Sequence, residues 1–255
     1  MDKKFAAQLY TVRDELKKDF PGTLEKLREM GWSGVQIDGL HGNDPVVINN
    51  TLEKTGLKVA GMHVGLDRLT EDLDNVVKEA DIFGTRYIYC HYLEEEYQNE
   101  SGYRYVKDKL LSIGEKLKAK GYKIGYHHHE FEFETIIDGK YALEYLLEPE
   151  GRNSIYPEID TYWIKYAGKD PLSFMSNYKG RMPVLHLKDM SADGSKDFVE
   201  IGNGIIDFKS ILEWGEKSGV EWYAVEQDYC KNSSLESLEI SLKNLKELSK
   251  EIETK

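Results

Sequence analysis

The chain has 255 residues; 34 Lys and Arg against 46 Asp and Glu leave a formal net charge of −12 at pH 7, and 40% of residues are aliphatic, aromatic or Cys. This composition supplies a sizeable core and excludes disorder over most of the length, while its acidic excess argues against nucleic acid and anionic membrane surfaces, which attract clustered Lys and Arg. No apolar run reaches the roughly 18–20 residues of a membrane span, MDKKFAAQLYTVRDE turns polar too early for a signal peptide, and Cys90 and Cys230 form no CxxC or zinc-finger spacing, so a cytoplasmic protein is expected.

Along the chain, a charged amphipathic stretch repeatedly ends in Gly and gives way to a short β-rich run. The phrase appears as REMG-WSGVQI, EKTG-LKVAGMHV, DIFG-TRYIYCHY, KAKG-YKIGYHHH and EKSG-VEWYAVEQD. Gly31, Gly56, Gly84, Gly121 and Gly219 stand where a helix hands over to a strand, because a left-handed backbone costs least without a Cβ. Strands are predicted near residues 5–10, 34–37, 59–64, 87–91, 123–129, 154–160, 183–188 and 222–227. Helical periodicity fills the gaps, as in Tyr103, Val106, Leu110, Ile113 and Leu117, and in Leu235, Leu238, Leu242, Leu245 and Leu248. Eight βα units in one uninterrupted chain predict an α/β fold, a single (β/α)8 TIM barrel over residues 1–255. The competing doubly wound sheet usually carries a Gly-rich loop after its first strand, and here that position reads QLYTVRDEL.

Barrel enzymes place their chemistry at the C-terminal ends of strands. Here strand five ends in GYHHHEFEF, strand six in YPEIDTYW, strand seven in VLHLKD and strand eight in AVEQD. Because alternate side chains share a face, His127 with His129, Glu158 with Asp160, His186 with Lys188, and Glu226 with Asp228 form coherent inward sets, while Ile159, Leu185, Leu187 and Val225 face the helices. One strand-end His or Asp is more often a cap or a satisfied polar group; four adjacent ends of this kind are a different matter. Buried carboxylates repel one another unless a cation sits among them, so a divalent metal is expected, Mn²⁺ first, with Mg²⁺, Co²⁺ and Zn²⁺ behind it. A solvated loop is one reading of Glu130, Glu132 and Glu134, and the preferred one for Glu134.

These segments, with AAQLYTVRD at the first strand, GRMPVLHLKD at the seventh and IGNGIIDF after it, resemble the sugar phosphate isomerase/epimerase group of xylose isomerase-like barrels, which includes tagatose and psicose 3-epimerases and inosose dehydratase. The likeness spans nearly the whole chain. It implies a divalent metal held at the ends of strands five to eight and a ketose or keto-sugar bound to it. Asp160, His186 and Glu226 fall on the family's ligand positions. Its better-known epimerases carry Glu at the end of strand five, where this chain has His127, so the fourth ligand is either His127 or Glu158. The His that often follows the strand-six Asp by three is here Trp163, so the family's usual proton-transfer pair does not carry over.

The implied chemistry is Lewis-acid activation of a carbonyl and removal of the neighbouring proton through an enediolate, with Glu226, Glu158 or His129 as base. Returning the proton makes an isomerase or epimerase, the expected activity; losing a β-substituent makes the alternative, a lyase of the inosose-dehydratase or keto-glycoside kind. Lys188 is either an acid for a departing oxygen or a hydrogen-bond partner of Asp160 or of substrate. Gln8, Tyr10, Gln36, Asp38, His63, His91 and Trp163 are candidates for a sugar pocket, though Tyr10 and His91 equally suit barrel-top packing. Gly202-Asn203-Gly204 is a weak phosphate signal and Arg181 reads as an exposed turn residue, so an unphosphorylated sugar or cyclitol is the expected partner. An endonuclease or a non-catalytic sugar-binding barrel is less well supported, and the barrel rim offers a surface for a homo-oligomer.

Overall fold

A computed structural model of the chain describes residues 1–151 and 154–254. Eight parallel strands form one sheet: β1 Phe5–Gln8, β2 Gly34–Asp38, β3 Lys58–Val64, β4 Tyr87–Cys90, β5 Lys123–His127, β6 Tyr156–Glu158, β7 Val184–Leu187 and β8 Trp222–Val225. Their order is β6-β5-β4-β3-β2-β1-β8-β7. The two ends meet in an isolated parallel bridge between Asp160 and His186, with the His186 amide donating to Ile159 O at 2.9 Å. The sheet therefore curls into a nearly closed barrel, with its narrowest seam at two of the candidate ligands.

The principal helices surround it: α1 Phe20–Met30, α2 Pro45–Thr55, α3 Leu73–Phe83, α4 Glu100–Lys118, α5 Thr161–Tyr166, α6 Phe208–Ser218 and α7 Ser234–Glu253. Glycine ends α1, α2, α3 and α6 in the left-handed conformation, at Gly31, Gly56, Gly84 and Gly219. Gly121 also has positive φ, but α4 has already ended, with right-handed Ala119 as its cap. None of the described helices is long and apolar enough to cross a membrane.

Alternation along the strands divides the apolar residues into two groups. Val35, Ile37, Met62, Ile88, Ile124, Leu185, Leu187 and Val225 face outward and pack with Leu24, Leu27, Val106, Leu110, Leu238 and Leu242 of the helices. Each such side chain, fully buried, contributes roughly 1.5–3 kcal/mol. The inward residues are fewer and larger: Tyr89, Val184 and Ala224 form a separate cluster floored by Tyr87, Tyr156 and Trp222. Gly125 makes room for this plug, since a Cβ there would lie 2.3 Å from the Tyr89 ring. Above the plug the interior turns polar.

Strands β1 and β4–β8 end one or two residues sooner than the sequence predicts, and the reason is chemical. Past the last ladder bonds, side chains take the backbone donors: Lys188 N donates to Thr161 Oγ1 at 3.0 Å, Gln227 N to Thr11 Oγ1 at 3.0 Å, and Asp160 N to His128 Nε2 at 3.1 Å. His91, His129, Asp160, Lys188, Glu226 and Asp228 thus stand at the first loop positions, freed from the pleat.

Candidate active site

The polar top of the barrel is built in two tiers. The lower tier is a closed ring of hydrogen bonds. Gln8 Nε2 donates to Gln36 Oε1 at 2.8 Å and reaches His63 Nδ1 at 3.2 Å; Gln36 Nε2 donates to Glu158 Oε1 at 2.5 Å; His63 Nε2 meets Glu158 Oε2 at 2.5 Å. His186 Nε2 donates to Gln36 Oε1 at 2.6 Å, which fixes the ring and turns the opposite nitrogen upward. Glu158 is fully buried, and both its oxygens are engaged.

The upper tier is different. His186 Nδ1 lies 3.4 Å from Glu226 Oε2 and 4.0 Å from Asp160 Oδ2. Asp160 Oδ1 caps α5 by accepting from Tyr162 N at 2.8 Å, and Oδ2 faces inward, 3.1 Å from the Lys188 ammonium. His127 Nδ1, His186 Nδ1 and Asp160 Oδ2 are buried without a well-aligned hydrogen bond, although Glu158 Oε2, Glu226 Oε2 and Lys188 Nζ lie 3.3, 3.4 and 3.1 Å from them respectively. Buried polar atoms rarely lack hydrogen bonds, and three converging ones form a set that a bound ion could complete. Two overlapping groups among the described residues could hold a metal ion, His127, Asp160, His186 and Glu226 above and His63, His127, Glu158 and His186 below; in each, the donor atoms lie within 4.8 Å of one another. The unpartnered atoms favour the upper one, and its donor set of two imidazoles and two carboxylates suits a divalent ion.

Lys188 closes the upper tier from the side. Its fully buried ammonium lies 3.1 Å from Asp160 Oδ2, 2.8 Å from Glu226 Oε2 and 3.0 Å from Asp228 Oδ2. Burial works against the charge, but these three carboxylates raise the Lys188 pKa well above its ordinary value. Burial likewise opposes ionisation of Glu226, and Lys188 and His186 reverse the balance and hold its carboxyl well below the usual range. Burial pushes Asp160 up to about 6 despite Lys188 and His186. On the opposite side, burial first and neighbouring cations second lower His127 and His129 well below an ordinary imidazole, and His91 to about 4.

A cavity of about 840 Å³ opens above these tiers, lined by Tyr10, Asp38, His63, His91, His127, His129, Glu226 and Asp228 from the candidate set and by loop residues after β3 and β4. Gln8 and Glu158 lie beneath it, and Trp163 stands behind His129, ring centres 5.4 Å apart, with Lys188 Nζ 5.3 Å over its ring. His129 itself stacks on Phe131 at 5.5 Å.

Several supporting residues escaped the sequence reading. His128, between two inward histidines, accepts the Asp160 amide at Nε2 and uses Nδ1 on the His129 carbonyl, a pairing that fits a pKa pushed by burial to about 3. Glu132, expected in a solvated loop, is wholly buried; it accepts from Tyr126 Oη at 2.5 Å and His129 N at 2.8 Å, and burial raises it to about 7. Glu134 is exposed, as expected. Arg181 is half-buried rather than exposed, bracing the Leu147 and Ile155 carbonyls at 2.9 and 3.1 Å. The Gly202-Asn203-Gly204 turn does bind an anion, but it is the protein's own: Asp189 Oδ2 accepts from Gly202 N and Gly204 N at 3.0 and 2.9 Å. An Asp three residues past a strand-seven His and a Gly-rich turn thirteen residues on were the available signals.

The sequence profile described as xylose isomerase-like TIM barrel matches residues 24–248. The chain belongs to that family. Within the xylose isomerase-like barrels it is similar to the inosose dehydratase of Clostridium beijerinckii, 23% identical over 247 residues and covering 82% of each protein. Among solved structures, a sugar phosphate isomerase/epimerase from Parabacteroides distasonis superposes with a TM-score of 0.79 at 23% identity, over 96% of both chains. An L-ribulose 3-epimerase follows at 0.72 and 14%, over 98% of this chain and 96% of the other. At these identities the structural likeness carries the fold, an eight-stranded xylose isomerase-like barrel.

Proposed function

We propose that this protein is a divalent-metal-dependent enzyme that takes the proton beside the carbonyl of an unphosphorylated keto-sugar or cyclitol ketone and expels a β-oxygen substituent. The observation that carries the reading is the pairing of Glu226 with Lys188 at 2.8 Å beside the unpartnered donors. A divalent cation held by Asp160, His186, Glu226 and His127 would withdraw charge from the substrate carbonyl and so acidify the neighbouring C–H. Glu226, ionised and at the cavity wall, receives that proton. Lys188, kept as an ammonium, gives one to the departing oxygen, so that the substrate loses water or an alcohol and gains a double bond. Both groups stand at the β7–β8 side and serve one face of the substrate.

Epimerisation or isomerisation from the same first step is the second reading, supported by the fold shared with L-ribulose 3-epimerase. It requires a donor on the opposite face, and there His91, His127 and His129 are held unprotonated by burial. The relatives named inosose dehydratase favour elimination and supply the first ketone to try, inosose. The test is incubation of the Mn²⁺-supplemented protein with inosose and a panel of ketoses in deuterated water, followed by NMR. Deuterium beside the carbonyl together with an unsaturated product is expected. A new stereocentre with every hydroxyl retained moves the assignment to epimerase, and no exchange with any ketone contradicts both readings.

A further inference from the structure

The cavity is much longer than one sugar ring requires. Its volume of about 840 Å³ lies toward the upper end of the ~300–1,000 Å³ typical of sites that bury drug-sized ligands. The inner end is the polar tier of His63, His127 and Glu226; the outer end runs past the short helix Leu66–Glu71 and the turn Glu95–Tyr97 to Tyr105 on α4. We propose that this outer end is a second subsite, walled by Tyr92, Tyr97 and Tyr105, that takes an uncharged ring joined to the reacting sugar. The proposal rests on the keto-sugar reading and narrows it: the preferred substrate is a two-ring glycoside, not a free or phosphorylated monosaccharide.

Three observations support it. Tyr97 and Tyr105 lie nearly parallel, ring centres 5.7 Å apart and 14° between planes, while Tyr92 meets His129 edge-on at 5.4 Å and so links the outer wall to the inner site. Tyr92 and Tyr105 each remain 42% exposed, so part of each side chain is open to a ligand even though Tyr97 stacks on Tyr105. Such faces complement the flat C–H face of a sugar or another aromatic ring. Finally, no Lys or Arg among the described residues lines the cavity, whereas Asp67, Glu71, Glu94 and Glu96 ring its outer part. The Lys109 ammonium sits 5.1 Å over the Tyr105 ring but is not a lining group, and the buried Lys188 is already shared by three carboxylates. A phosphate or carboxylate at this outer end would meet like charge.

Titration calorimetry on the Mn²⁺-supplemented protein tests this with methyl β-glucoside, p-nitrophenyl β-glucoside, cellobiose and glucose phosphate. The two-ring ligands are expected to bind about tenfold more tightly than methyl β-glucoside, with glucose phosphate weakest. A preference confined to the nitrophenyl ligand identifies an aromatic ring as occupant; one shared by cellobiose identifies any ring with a flat face. Tyr105→Ala should erase the preference and Tyr105→Phe retain it. Equal affinity for one-ring and two-ring ligands, or tightest binding of glucose phosphate, overturns the subsite. If deuterium exchange fails with every ketone while the preference persists, the keto-sugar reading falls and the subsite stands; exchange without the preference removes the subsite alone.

Discussion

Asp160 performs two tasks with two oxygens, and they separate by substitution. Oδ1 caps α5, and Oδ2 points at Lys188 and the unpartnered imidazoles. Asn caps a helix as well as Asp does, so Asp160→Asn should keep the thermal midpoint near wild type while weakening Mn²⁺ binding and lowering turnover by about 100-fold or more; Asp160→Ala should also lose about 1 kcal/mol of stability. His186→Ala and Glu226→Ala should match the loss of turnover, and Glu134→Ala, on the exposed loop, should change little. Glu132 gives a pH prediction. Its folded pKa of about 7 exceeds an unfolded value near 4.5, so the unfolded state releases its proton first and stability falls as pH rises through that window. Glu132→Gln should abolish this fall, a difference on the order of 3 kcal/mol above pH 7 in denaturant titrations. Strand alternation made Asp160, His186, Lys188 and Glu226 readable, because a period of two needs no tertiary knowledge. Glu132 and His128 were not, since their roles depend on a sharp turn after β5 that folds the chain back on itself.

At the scale of elements, the barrel is held shut by side chains as much as by its ladder. β6 and β7 meet through one bridge, and Thr161 reinforces it by accepting from Lys188 N and donating to Lys188 O at 3.0 and 2.9 Å. The loop after β7 depends on Asp189, which accepts four backbone amides, from Met190, Gly202, Gly204 and Ile206. Asp189→Ala leaves these donors without their acceptor and should cost about 2–4 kcal/mol, read by chemical denaturation, with the loop amides losing hydrogen-exchange protection. Gly204 tolerates no Cβ there, since one would lie 2.2 Å from Met190 O. In the sequence Gly202-Asn203-Gly204 read only as a weak phosphate signal, because nothing local shows that Asp189, thirteen residues earlier, is the anion it binds.

Across the whole molecule, five repeats of helix, glycine and β run within eight βα units were enough to foretell the barrel, and four of the five proposed helix-ending glycines cap as expected. What pattern alone withheld was the division of the interior into aromatic plug, hydrogen-bonded ring and unpartnered tier, since inward residues of all three share one periodicity. That division is the basis for proposing Glu158 as support and His127 as part of the donor set. The most direct measurement is anomalous diffraction at the manganese edge from a crystal soaked in Mn²⁺. A single peak about 2.0–2.3 Å from His127, Asp160, His186 and Glu226, with Lys188 drawn toward Asp228, is the predicted result. A peak seated on Glu158 and His63, or no peak inside the barrel, would contradict the account.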